Sequence, residues 1–147
     1  MIKYYFEDMD IGTELELGSY HVTLEEILEF AKKYDPQPFH INPDLAAASM
    51  FGGIIASGWH TGSICMRLYV DAVLNQSSSM GSPGIDELRW KRPVRPGDTL
   101  TARFKIVDKK PFRQGVGIVK GKAEVFNQDH KLVMTFIGNG MFGVRNP

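Results

Sequence analysis

Apolar residues recur at helical spacing in the first half of the chain and at strand spacing in the last third. Ile27, Phe30, Ala31 and Tyr34 fall at i, i+3, i+4 and i+7, which is one face of an amphipathic helix. Thr23 and Glu26 bracket its start as a capping box, with Thr23 as the cap and Glu26 reaching back to it. Proline biases the residue before it away from helical backbone, so this helix ends where Asp35-Pro36 begins. Residues 58 to 74, GWHTGSICMRLYVDAVL, are apolar nearly all round and predict a longer helix buried against a sheet. Beyond them Leu88 and Trp90 alternate with charged residues, and Leu100, Ala102, Phe104 and Ile106 follow with period two. Strands are also expected from Gly12 to Val22, from Val116 to Phe126 and from Leu132 to Val144. Lys109 to Gly115 reads as a turn, and Asn75 to Gly84 as the one long loop. Helices first and strands mostly later argue for an α+β domain in which an antiparallel sheet covers the long helix.

Between the two helices lies the densest stretch of the sequence, YDPQPFHINPDLAAASMFGGIIASGWHTGS, from Tyr34 to Ser63. Pro36 and Pro38 stiffen the path from Asp35 to His40, which predicts a defined extended loop carrying a carboxylate beside an imidazole. On spacing alone the pair has two readings: a turn cap beside a half-buried histidine, or two groups held on one substrate or water. Asn42 reads as the cap and Pro43 as the first residue of a short helix reaching Ala48. Ser57 caps the long helix, whose N-terminal N–H groups and dipole favour negative charge. Gly58 there either lends its N–H to a developing oxyanion or permits a close packing contact. His60 either lines the same pocket or is a packed residue with one backbone partner.

Composition narrows the choices. At 147 residues the chain is most simply one domain, residues 1–147, with a core of useful size. Its 17 basic and 17 acidic residues balance, so charge makes no case for nucleic acid or an anionic membrane. One cysteine, Cys65, excludes an intrachain disulfide and fits a reducing, cytoplasmic setting. No apolar run of membrane-spanning length occurs, and the aromatic, acidic start does not read as a signal peptide. His21 and His130 stand apart, and no zinc-type spacing is present. Arg89, Lys91, Arg92 and Arg95 read as solvated sheet surface or as contacts for a phosphate-bearing tail. No glycine-rich phosphate loop accompanies them.

The order acid, histidine, short helix, glycine turn, buried helix resembles the MaoC-like dehydratases and (R)-specific enoyl-CoA hydratases. Their motif reads roughly D-x-N-P-x-H-x-D/N-P, then F-x-x-x-I-x-H-G. Asp35, Pro38, His40, Asn42 and Pro43 match it, followed by Phe51, Ile55 and Gly58, with register kept throughout. Gln37 stands where the motif has Asn, Pro36 fills a variable position, and Phe39 replaces an aliphatic residue. Ser57 stands where the motif has His, and bulky Trp59 follows Gly58. The resemblance covers nearly the whole chain and implies a hotdog fold, a sheet wrapped around the helix from about Ser57 to Leu74, in at least a homodimer.

That resemblance also implies a hydro-lyase acting between a trans-2-enoyl-CoA and an (R)-3-hydroxyacyl-CoA. Asp35 and His40 would hold one water between them while the Gly58 N–H binds the thioester oxygen. Gln37, Phe39, Asn42, Phe51, Ser57, Trp59 and His60 would form the pocket or support the dyad, with Phe39, Phe51, Trp59 and His60 crowding the tunnel. The chemistry calls for no metal, flavin or nicotinamide, and coenzyme A enters only as part of the substrate. Two other readings stay open: an acyl-CoA thioesterase and a non-catalytic acyl-CoA-binding hotdog protein.

Overall fold

The structure, a computed structural model, describes residues 1–147. Five strands form one antiparallel sheet: β1 (Glu14–His21), β2 (Gly84–Trp90), β3 (Thr99–Arg113), β4 (Val116–Phe126) and β5 (Leu132–Gly143). Their spatial order is β1-β3-β4-β5-β2. Four helices precede β2: α1 (Leu24–Tyr34), α2 (Pro38–Ile41), α3 (Pro43–Ala47) and α4 (Gly58–Ala72). The sheet wraps around α4, which is the hotdog arrangement. Single 3-10 turns occur at Phe6–Asp8 and Leu74–Gln76.

Alternation in β3 places Leu100, Ala102, Phe104 and Ile106 in the core. Opposite them α4 buries Ile64, Cys65 and Leu68, and Tyr69 stacks on Phe104 with ring centroids 4.8 Å apart. Burying each large aliphatic side chain here contributes about 1.5–3 kcal/mol. Cys65 belongs to this packing, and burial pushes its thiol up to about 12, far from a reactive thiolate. The helix is not enclosed on every side: Trp59, Met66 and Arg67 face outward, the last paired with Asp71 at 2.7 Å. No helix is long and apolar enough to cross a membrane.

Three local expectations change. The path from Asp35 to His40 is not extended throughout, because Gln37 is extended and Pro38 then opens the helical turn α2. Proline's fixed φ suits the first position of a helix, where its missing N–H leaves nothing unsatisfied. Of Lys109 to Gly115 only the last two residues turn, since β3 continues to Arg113 and the chain reverses at Gln114-Gly115, the glycine at φ +78°. Pro111 is tolerated because β1 pairs with β3 only as far as Lys105, leaving that side of the strand without a partner. Finally, Thr23 accepts from the Glu26 N–H at 3.2 Å, but the Glu26 carboxylate does not reach back. It takes the Tyr20 hydroxyl at 2.7 Å and faces His60 Nε2 at 3.1 Å, one partner on β1 and the other on α4.

Candidate active site

Asp35 is the C-cap of α1, its N–H bonded to the Ala31 carbonyl at 2.8 Å. The helix therefore delivers the carboxylate to a fixed point. Five residues on, α2 presents His40, whose accessibility is 4%. His40 Nδ1 lies 2.7 Å from the Ile55 carbonyl, which can only accept, so Nδ1 carries the hydrogen. The ring is held further by Phe39 edge-on at 4.5 Å between centroids. Nε2 is thus the nitrogen left for chemistry, and it lies 3.3 Å from Asp35 Oδ2.

Two donors hold the carboxylate. Gln37 Nε2 donates to Oδ1 at 2.7 Å, and the Ser57 hydroxyl donates to Oδ2 at 2.8 Å. Partial burial alone would raise the pKa of Asp35. Hydrogen bonds from Gln37 and Ser57, with the adjacent His40, outweigh it and hold the carboxyl below its ordinary value. Ser57 is fully buried and also accepts from the Trp59 N–H at 3.3 Å. One hydroxyl therefore caps α4 and fixes the Asp35 carboxylate.

Gly58 begins α4 beside this pair, and its N–H finds no acceptor within the chain. The Trp90 indole lies across it, with Trp90 Nε1 donating to the Gly58 carbonyl at 2.9 Å. A methyl group on Gly58 would overlap the indole ring. Trp90 reaches this place from the edge strand, whose register shifts between Asp86 and Arg89 with Glu87 at φ +54°. Such a bulge re-aims the side chains that follow it.

These groups open into a cavity of about 430 Å³ lined by Asp35, Gln37, His40, Phe51, Gly58 and Trp59, with Trp90, Lys91 and Arg92 on the strand side. The structure places six of the ten anticipated site residues in the cavity lining and Ser57 beneath the carboxylate, and the other three outside the lining. Asn42 caps α3, accepting from the Leu45 N–H at 3.1 Å, and lies outside the cavity lining. Phe39 packs on His40 and Phe51 from behind. His60 faces α1, against Glu26 and stacked on Phe30, so it does not crowd the cavity. Asp35 and His40 meet directly, which leaves no room for a water between them; a water can reach both only from the cavity side. Trp90 and the Ile55 carbonyl were missed, the first for want of the bulge, the second because a carbonyl leaves no mark in sequence. No three His, Cys, Asp or Glu side chains converge as metal ligands would.

The family model described as the MaoC like domain matches residues 8–127. The chain belongs to that family. Among curated relatives, the (R)-specific enoyl-CoA hydratase of Rhodospirillum rubrum is 31% identical over 121 residues, covering 79% of this chain and 78% of its own. YdeM, an uncharacterized protein of Bacillus subtilis, is 30% identical over 132 residues, covering 90% and 92%. Among solved structures, a MaoC-like dehydratase from Rhodospirillum rubrum superposes with a TM-score of 0.91 at 33% identity, over 99% of this chain and 100% of that one. This MaoC-like domain therefore shares its fold with proteins named as hydratases and dehydratases.

Proposed function

We propose that this MaoC-like domain adds water to a trans-2-enoyl-CoA, or removes it from the (R)-3-hydroxyacyl-CoA, using Asp35 and His40. The observation that carries this reading is the convergence of His40 Nε2, the Asp35 carboxylate and the unpartnered Gly58 N–H on one cavity. A thioester oxygen on the Gly58 N–H draws electrons from the conjugated double bond and makes C3 electrophilic. Water in the cavity gives its proton to His40 Nε2 as its oxygen bonds to C3. The π electrons move toward the thioester oxygen as an enolate, which collapses when the same proton is returned to C2 from the same side. Asp35, already committed to Gln37 and Ser57 and held below its ordinary pKa, is the weaker base and stabilises the imidazolium beside it. An oxyanion donor is worth about 3–4 kcal/mol and general acid–base help about 3–5 kcal/mol.

The same proposal includes a homodimer. β2 is an edge strand, and Ile85, Trp90, Met66 and Trp59 stand exposed on or beside it. A second, apolar cavity of about 240 Å³ lies at the Ile85 end of β2, lined by Met66, Tyr69, Phe104, Phe136 and Phe142. The dyad cavity lies at its Trp90 end, and the two share no lining residue. Antiparallel pairing of β2 with its copy would cover the edge and set one subunit's apolar cavity beside the other's dyad, ready for the acyl chain. A monomeric mass in solution at assay concentration would refute this part.

The test of the reaction is to follow enoyl absorbance and free thiol together across a panel of enoyl-CoA thioesters. Loss of absorbance without thiol release is expected. Stoichiometric thiol release would identify a thioesterase, and binding without either signal a non-catalytic protein.

A further inference from the structure

Charge in the dyad cavity is unevenly placed. Asp35 lies in its interior, whereas the cationic side chains among its lining residues, Lys91 and Arg92, stand on the outer strand side. Both are exposed, and neither takes part in a salt bridge or a side-chain hydrogen bond. Three arginines elsewhere do have a carboxylate partner: Arg67 with Asp71, Arg103 with Glu124 and Arg145 with Asp8. The backbone beneath the free pair is fixed. The N–H groups of Lys91 and Arg92 both point to the Val133 carbonyl, at 2.8 and 3.4 Å, and Pro93 follows. Trp90, just before them, is tied to Gly58 and meets Trp59 edge-to-face at 5.2 Å. Two cations without a carboxylate partner and an aromatic pair thus stand together in the lining of the site.

Resting on the hydratase reading, with the thioester oxygen on Gly58 and the reacting carbons at His40, the arm beyond sulfur can meet Trp59, Trp90, Lys91 and Arg92, which line the same cavity. We propose that Lys91 and Arg92 bind a phosphate of that arm, making them specificity-determining residues for a phosphopantetheine-type carrier. Exposed cations at a rim act through charge and steering, so their effect weakens with salt.

The experiment compares one acyl group, trans-2-butenoyl, on coenzyme A and on phosphate-free N-acetylcysteamine. In the Lys91→Gln/Arg92→Gln protein, the ratio of kcat/KM for the coenzyme A thioester to that for the phosphate-free one is expected to fall roughly tenfold, the size of two exposed charge contacts. The fall should lie mainly in KM, and raising salt should remove it. An unchanged ratio, or equal losses on both thioesters, would overturn the proposal. Butenoyl-phosphopantetheine, which lacks the nucleotide, locates the phosphate: retention of the effect assigns the arm's own phosphate, common to coenzyme A and to a carrier protein, and its loss assigns the nucleotide's phosphates. If the wild type turns over none of these thioesters, the hydratase reading fails. Calorimetric titration with coenzyme A alone then decides the rim separately: roughly tenfold weaker binding to the double variant supports it, and equal binding overturns it.

Discussion

Replacing Ser57 by alanine removes a hydroxyl that serves two partners at once. Loss of the cap on α4 costs about 1 kcal/mol. Loss of a hydrogen bond to a charged group costs about 1.5–3 kcal/mol. The Asp35 side chain is 17% accessible, so water recovers part of the second loss. A total of roughly 2 kcal/mol is expected at neutral pH, or about 4–8 °C in Tm for a chain of this size. The pH dependence separates the two losses. Asp35 is depressed in the folded protein, so its contribution is complete above the ordinary carboxylate pKa and disappears as pH falls through the depressed one. Wild type and Ser57→Ala should therefore differ most near neutrality and converge in acid toward the cap's share of about 1 kcal/mol. Thermal melts of both proteins across the acid range measure this directly. A gap that stays constant with pH would show that the hydroxyl does nothing for the carboxylate. An acyl-enzyme on Ser57, seen as a mass shift after rapid quench, would refute the supporting role altogether, since the hydroxyl is fully buried and its proton acceptor, Asp35, is held below its ordinary pKa and is a poor base.

Asp35→Asn and His40→Ala should each lower kcat by at least about 10²-fold with the fold retained by circular dichroism, and together far less than multiplicatively, because they act on one water. Mild, independent losses would show that the pair is not catalytic. Gly58→Ala tests less than its small change suggests, because the added methyl displaces Trp90 as well as obstructing the thioester oxygen. Adding Trp90→Ala makes room for that methyl: if Gly58 is only a packing residue, the double variant regains the turnover of Trp90→Ala. If its N–H is the oxyanion donor, a loss of up to about 10²–10³-fold persists.

Much of the frame was legible because single residues carry unambiguous physics. Asn42 before Pro43, Ser57 before Gly58 and the period-two run from Leu100 to Ile106 each produce the element expected of them. Pro38 was not legible, because proline is equally at home in extended chain and at the first position of a helix; tertiary contact between Phe39 and Ile55, whose N–H donates to the Phe39 carbonyl at 3.2 Å, accompanies the helical choice. Nor could Pro111 report that its strand has no neighbour on one side. Trp90 alternated correctly as a strand residue, yet its place over Gly58 depends on one bulge at Glu87, which no periodicity announces.

Glu26 and His60 show why residues outside the cavity still bear on it. α1 carries Glu26 near its start and Asp35 at its end, about 13 Å apart along the axis at 1.5 Å per residue. α4 answers both, with His60 in its first turn and Ser57 at its cap. His60 Nε2–H can satisfy Glu26, which the Tyr20 hydroxyl also ties to β1, while Phe30 stacks on the ring at 4.8 Å. His60 Nδ1 is left buried without a partner, a cost the site accepts in order to place the ring. Two attachments far apart on α1 restrict both sliding and rotation of the α4 N-terminus, whereas Ser57 alone would leave it free to pivot. Asp35 and the Gly58 N–H therefore face one cavity because the two helices that carry them are clasped at two points, only one of which is the site itself.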